Sequence, residues 1–373
     1  MTRTRYTLIV PALATLFMAT VILASTQSHA QTSAETSAAQ TPAPTSAVQT
    51  QTPAAPVQPP PALVQTQQSC QSRDEVPADV RSAIEAAGQV AFDQATRGDL
   101  GGLRAESTNA LQAGFGGVAA AVNDNKEALV GVRQQLRAIY VLNTGTNPTA
   151  EGRYTCGAFS ASGLASGSAE FNLPGLATGK YAVVIMDVTG PRGPFAMTAI
   201  FEDLNGWKLA GFYVRPEAAN GRDGLWYLLR AREYKAKSQS YNAWFYYVTS
   251  WDLLAPVKFM DSNLLAKIIQ ESAGLQPPDV PLAGNPVNFS ANGKTYKLTE
   301  MSVFSTESTL DVSIKYSVLS TADFAATQAE ARTLATAFAS QHPELKDAFT
   351  NIWAHAVGPT GNDVAATVSL KKP

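Results

Sequence analysis

The sequence is poor in the side chains on which most catalytic and metal sites depend. It has 3 histidines and 2 cysteines, and charged residues make up 16% of its 373 residues. It contains no Walker loop, no Cys-x-x-Cys pair, no His-Glu-x-x-His and no Gly-x-Ser-x-Gly motif. The sequence therefore predicts no catalytic residue, no cofactor and no metal site of these kinds.

Two of the histidines lie beyond the N-terminal region. His342 precedes a proline at the end of a predicted helix, where a surface cation interacts favourably with the helix dipole. His355 shares a predicted strand face with Trp353 and Val357. The sequence places no acid or nucleophile beside it, so two interpretations stay open, a general base and a hydrogen-bonded core histidine.

Basic residues are not in excess either. The chain has 28 Lys and Arg against 30 Asp and Glu, which gives a formal net charge of -2. Such a balance provides no electrostatic footprint for nucleic acid. After the first 30 residues we expect no membrane span, because no later segment is a long apolar run.

The N-terminus has the three parts of an export signal. Arg3 and Arg5 form a basic start, an apolar stretch runs from Leu8 to Ala24, and Ser28-His29-Ala30 offers a cleavage site. We predict that residues 1–30 are a signal peptide and that the chain is periplasmic or extracellular. A retained membrane anchor is the alternative, since the apolar stretch approaches the ~20 residues that span a bilayer.

The two cysteines, Cys70 and Cys156, both follow this segment. In an oxidising compartment such a pair predicts a disulfide, with two free thiols as the alternative. Before Cys70, residues 31–69 are rich in Gln, Thr, Ala, Pro and Ser and include Pro59-Pro60-Pro61. That composition buries too little apolar surface to offset the loss of chain entropy, so we predict a disordered tether.

The first folded unit is predicted over residues 70–216, with helices first and strands after them. Helical spacing predicts a helix that begins after Pro77 and ends at Arg97-Gly98-Asp99. Two more helices are predicted at residues 103–111 and 118–136. Period-two alternation and a two-residue turn at Asn205-Gly206 predict strands at 154–159, 168–173, 181–189, 195–203 and 207–214.

This order resembles the nuclear-transport-factor-2-like fold, in which helices and a curved antiparallel sheet form a cone. The residues that carry the resemblance are the turn Ala95–Asp99, the hairpin Asp203–Trp207 and the closing strand Lys208–Val214. It implies that the space between helices and sheet is an enzyme pocket, a ligand pocket or a core. Tyr181 and Asp187, which share a strand face, are the candidate pocket residues, and a solvated carboxylate at a strand end is the alternative.

Residues 217–275 resemble a single tetratricopeptide-like pair of helices, at the positions of Trp226, Leu229, Tyr234, Ala243, Tyr247 and Pro256. Arg230 stands where that family usually has glycine. A lone pair cannot bury its own face, so we expect a connector that packs on its neighbours, with a third helix at residues 263–272. Its aromatic residues are interpreted as core or as a protein-binding surface, for which the candidates are Trp226, Trp244, Tyr247 and Trp251.

The last unit is predicted over residues 286–373 as a small antiparallel sheet covered by one helix. Asn292-Gly293 predicts a hairpin turn, and residues 310–318 alternate between apolar and polar side chains. A helix capped by Thr321 is predicted to run to about Ser340, with strands at 351–357 and 364–370. The whole chain is thus expected to be α+β.

The sequence favours an exported, non-catalytic protein of the envelope or the exterior that binds a protein partner or assists assembly. The alternative is a small-ligand-binding protein, or a hydrolase-type or isomerase-type enzyme, that uses the cone pocket of the first unit. The residues favour no particular oligomeric state.

Overall fold

The structure, a computed structural model, describes residues 6–7, 69–145, 152–157, 159–160, 163–164, 168–281, 284–306 and 308–371. The predicted signal peptide and tether lie outside these residues, except for Tyr6–Thr7 and Ser69. Within the described residues no helix is long and apolar enough to cross a membrane. The predicted α+β class is confirmed.

Two groups of helices alternate with sheets along the chain. The helices are α1 (Ala78–Arg97), α2 (Leu100–Ala105), α3 (Asn109–Ala113), α4 (Gly116–Asp124), α5 (Gly224–Ala236), α6 (Ser240–Leu254), α7 (Asn263–Ser272) and α8 (Phe324–Gln341). The strands are β1 (Tyr6–Thr7), β2 (Ser69–Ser72), β3 (Arg133–Asn143), β4 (Arg153–Cys156), β5 (Phe159–Ser160), β6 (Gly163–Leu164), β7 (Ala169–Asn172), β8 (Lys180–Gly190), β9 (Gly193–Asp203), β10 (Trp207–Pro216), β11 (Ala218–Ala219), β12 (Arg222–Asp223), β13 (Met260–Asp261), β14 (Val287–Ala291), β15 (Lys294–Ser305), β16 (Leu310–Ser317), β17 (Asn351–Val357) and β18 (Asp363–Ser369). Short 3-10 helices lie at Arg73–Glu75 and Pro343–Asp347.

The helices and the sheet of the first part enclose a core filled with apolar side chains. The sheet has the order β10-β9-β8-β3-β2, and every pair in it is antiparallel. Because side chains alternate across a strand, Ala182, Val184 and Met186 of β8 lie in one cluster with Ile84 of α1. Gly88 lets α1 approach this sheet closely, since a Cβ atom there would lie 3.1 Å from Cε of Met186.

A small three-stranded sheet, in the order β13-β7-β4, covers the opposite face of the same sheet. Tyr181 and Val183 of β8 are buried there with Phe171 of β7. A disulfide between Cys70 and Cys156 joins β2 to β4, with Cα atoms 4.8 Å apart. The predicted bridge is therefore confirmed, and it ties the edge strand of the large sheet to the small one.

The second half of the chain has one continuous core. Its sheet has the order β1-β15-β16-β17-β18, and β14 also pairs with β15. Because α8 connects β16 to β17, this pair is parallel, whereas the other pairs of the sheet are antiparallel. Tyr227 and Phe245 of the helical hairpin are buried in the same cluster as Leu334 and Phe338 of α8. The segments predicted as a connector and a last unit therefore share their hydrophobic core.

The helix predicted at residues 118–136 is wrong in its second half. α4 ends at Asp124, and residues 133–143 form β3, which pairs with β8 along its whole length. Gly131 has a φ of 68°, a left-handed conformation that interrupts the helical pattern before the strand. The long-range pairing with β8 thus decides the structure of residues that also fit a helical spacing.

Both Asn-Gly pairs predicted as hairpin turns lie in turns between neighbouring strands. Asn292 and Gly293 both have positive φ and form the two-residue turn between Ala291 and Lys294. The turn at Asn205-Gly206 is longer, because Asp203 pairs with Trp207 and Leu204 joins the loop. Three residues, not two, therefore connect β9 to β10.

Candidate functional site

The predicted pocket residues lie on the face of β8 that is turned away from α1. Tyr181 is 3% exposed, and its hydroxyl lies 3.2 Å from both Glu202 Oε1 and the carbonyl oxygen of Ala177. Burial, and then the neighbouring Glu202 carboxylate, raises the pKa of Tyr181 to about 12. Asp187 instead forms an ion pair with Arg137 and keeps 40% of its side chain exposed. Neither residue reaches the space between helices and sheet, which the apolar cluster of α1, β8 and β9 fills.

His355 has the acidic partner that the sequence did not reveal. Its Nδ1 lies 2.7 Å from Oδ2 of Asp363, on the neighbouring strand β18, and its ring stacks on Trp353 with centroids 6.4 Å apart. The pairing of β17 with β18, which sets His355 opposite Ala365, brings Asp363 within reach. Such a carboxylate orients an imidazole, yet among the described residues His355 makes no hydrogen bond to a hydroxyl or a thiol.

His342 lies at the end of α8 in a second polar cluster. Its Nε2 is 3.3 Å from Oδ2 of Asp279 and 3.2 Å from the hydroxyl of Tyr241. The cluster links α6, the segment before β14 and the C-terminal end of α8, so its geometry is that of a structural tie. No group of three or more His, Cys, Asp or Glu side chains in the described part of the chain could hold a metal ion.

One side of helix α5 is fixed to the rest of the protein by packing and hydrogen bonds. The Asp223 carboxylate accepts a hydrogen bond of 2.8 Å from the N–H of Trp226 and so caps the helix. Gly224 lies tight against α6, since a Cβ atom there would lie 2.5 Å from Cγ of Leu254. The hydroxyl of Tyr227 donates to the carbonyl oxygen of Ala219 at 3.0 Å. These contacts fix the helix in one orientation on the core.

The other side of α5 carries an apolar and basic surface, here called the α5 face, made of Arg222, Leu225, Trp226, Leu229 and Arg230. Leu225 and Leu229 are one helical turn apart and are 50% and 58% exposed. Trp226 is half-buried. The guanidinium carbons of Arg222 and Arg230 lie 5.2 and 5.5 Å from the centroid of its indole ring. Tryptophan and arginine, like tyrosine, are enriched among the residues that contribute most to the energy of protein interfaces.

Apolar side chains lie on two sides of α5. Tyr227, Leu228 and Ala231 are buried against the core, while Leu225 and Leu229 point away from it. Large apolar side chains that lie close together on a surface are typical of a site of contact with another molecule. The α5 face is therefore the part of the described surface whose chemistry best fits contact with another molecule.

The four aromatic residues predicted as a partner surface do not lie together. Trp226 belongs to the α5 face, and Trp244 is partly buried against the core. Tyr247 and Trp251 are 1% and 7% exposed, inside that core. Burial, and then the Glu271 carboxylate, raises the pKa of Tyr247 to about 12. Sequence reasoning missed the exposed leucines, although their spacing of four residues, out of phase with the buried positions, was a usable signal.

Comparisons with protein-family models, with curated proteins and with solved structures find no match to this chain. The nuclear-transport-factor-2-like and tetratricopeptide-like resemblances therefore stay predictions.

Proposed function

We propose that this chain is an exported protein of the periplasm or the cell exterior that binds another protein through the α5 face. The observation that carries the proposal is the pair of exposed leucines beside a tryptophan that two arginines flank. The disulfide between Cys70 and Cys156 supports the compartment, because such bridges persist in oxidising surroundings. In this proposal the role of the protein is binding or assembly.

The shape of the α5 face favours a protein as the bound molecule. Small-ligand sites are concave and bury most of the ligand, whereas a helix exposes a convex ridge. A ridge with apolar residues at a spacing of four fits the groove of another protein. Removing the exposed halves of Leu225 and Leu229 from water contributes about 1 kcal/mol for each side chain.

Site-specific photo-crosslinking tests the proposal in the intact cell. A photoreactive residue replaces Leu229, and the matched control carries it at Leu204, which is 52% exposed in the turn between β9 and β10. We expect a protein adduct from position 229 and none from position 204. The adduct is then identified by mass spectrometry, and its binding to the purified chain is measured by calorimetry.

The substitution Leu225→Glu places a charge in the middle of the apolar stripe. We expect it to weaken the measured binding at least about tenfold, since a carboxylate must then be desolvated in the contact. Adducts of equal yield at both positions, or an affinity that Leu225→Glu leaves unchanged, would contradict the proposal.

A further inference from the structure

We infer that the protein bound by the α5 face is a second copy of this chain, docked so that the two α5 helices run antiparallel about a two-fold axis. The inference rests on the proposed function, because it names the partner of the same surface. It is carried by the order of charged and apolar residues along the helix.

The α5 face has an arginine near each end, and Glu233 adds a carboxylate beside its C-terminal end. Within the described residues Arg222, just before α5, stacks on Trp226 and forms no ion pair. Glu233, in the last half of the helix, pairs with Arg230 and keeps 51% of its side chain exposed. A two-fold axis beside the first half of α5, between residues 227 and 228, sets Arg222 opposite Glu233 of the second copy. The axis produces this attractive pair twice.

The same axis matches the apolar residues. Leu229 faces Trp226 of the second copy, and Leu225 faces the aliphatic stem of Arg230. Both leucines, now 50% and 58% exposed, then pack against large side chains instead of water. A self-complementary contact of this kind uses one surface twice and closes after two copies.

A parallel arrangement of the two helices does not fit. It sets Arg222 against Arg222 and Glu233 against Glu233, and like charges at close range destabilise a contact. Antiparallel docking instead gives a layer of four helices in the order α6-α5-α5-α6. Two helical hairpins then bury the faces that one hairpin leaves exposed.

Charge reversal tests the arrangement on the full chain purified from the periplasm. Arg222→Glu and Glu233→Arg each turn two attractive pairs into two repulsive ones, and we expect each to weaken dimerisation at least about tenfold. The double variant, which restores opposite charges, should dimerise again. An equimolar mixture of the two single variants should also form a dimer. Sedimentation velocity measures the association, and circular dichroism verifies that each variant is folded.

The matched controls reverse an exposed ion pair elsewhere on the surface. Lys208 and Glu106 form such a pair at 2.9 Å, with side chains 43% and 51% exposed. Lys208→Glu and Glu106→Arg should leave dimerisation unchanged. A second measurement needs no charge reversal: copies with a photoreactive residue at Leu229 are mixed with copies labelled with a heavy isotope. We expect a light-heavy adduct in the peptide that contains Trp226.

Two results would overturn the inference. One is a wild-type chain that sediments as a monomer at about 100 µM, and the other is a dimer that neither charge reversal affects. An adduct from Leu229 to a different protein would then leave the proposed function standing. If position 229 forms no adduct with any protein, both the inference and the proposed function are wrong.

Discussion

Replacing Cys70 and Cys156 by alanine should destabilise the fold by about 2–4 kcal/mol. The two residues are 86 positions apart in sequence, and for a loop of that length the chain-entropy relation gives about 4.6 kcal/mol at 25 °C. Alanine is chosen because Cys156 is 0% exposed, so that serine would bury a hydroxyl. The value from the relation is an upper limit and lies above the loss expected here.

The position of the bridge explains why the full amount is not expected. Cys70 lies in β2, the edge strand of its sheet, which pairs with β3 over only four residues. Without the bridge, β2 can separate from β3 while the rest of the sheet stays folded. The native state of the variant then also gains conformational entropy. This gain offsets part of the entropy that the unfolded state gains, so the loss of stability is smaller than the relation gives.

Urea unfolding followed by tryptophan fluorescence measures the effect. The double alanine variant should show a lower midpoint than the oxidised wild type and a larger m value, because an open unfolded chain exposes more surface. Wild type treated with dithiothreitol is the matched control and should unfold like the variant. If the oxidised chain and the variant agree within about 0.5 kcal/mol with equal m values, loop closure does not stabilise this protein.

Three further substitutions probe two polar contacts in the second half of the chain. Arg215→Met should lower the free energy of unfolding by about 3–5 kcal/mol, because it removes the arginine that lies 2.5 Å from the carboxylate of Asp252, whose side chain is 3% exposed. Urea unfolding measures this loss. Combining Arg215→Met with Asp252→Leu should recover most of the lost stability, because no buried charge then remains in the pair. Burial alone would raise the pKa of Asp279, but hydrogen bonds with His342 and Tyr241 outweigh it and hold that pKa below its usual value. This carboxylate therefore contributes stability above about pH 4 that is lost as the pH falls through its lowered pKa, and Asp279→Asn should flatten the dependence of unfolding free energy on pH between about 2 and 5. An unchanged slope would show that the cluster has no part in acid stability.

Much of the fold follows from local signals. The strands β8, β9 and β10 are predictable because short runs rich in apolar residues end at Gly190, Asn205-Gly206 and Pro216. α7 matches its predicted bounds, and Ser262 before it accepts a hydrogen bond of 3.3 Å from the N–H of Leu265. Such capping and turn residues act within a few positions of themselves, so the sequence displays them directly.

The remaining fold depends on contacts between distant residues. Leu136 fits a helical spacing with Val118 and Val122, yet it pairs with Met186 in the sheet. The cap of α8 differs in a similar way, since Asp323, and not Thr321, accepts a hydrogen bond of 3.0 Å from the N–H of Ala326. Where two local solutions compete, packing against the sheet selects one of them.

The candidate site was predictable only in part, for the same reason. Trp226 stands out by its type, but Leu225 and Leu229 resemble the buried Leu228 until α6 covers one side of the helix. Likewise, Asp363 becomes the partner of His355 only through the pairing of β17 with β18. A sequence shows which residues share a helix face, and tertiary packing decides which face is left uncovered.

The α5 face is supported from behind, which bears on how it can bind. The ring of Trp226 lies 5.1 Å from that of Tyr227, and Tyr227 lies 5.1 Å from Tyr246 in the core. The guanidinium groups of Arg222 and Arg230 lie over the same indole ring. Association loses free energy for every side chain that it must immobilise. Because these contacts already hold the tryptophan in the single chain, the proposed docking would lose less free energy in ordering this side chain.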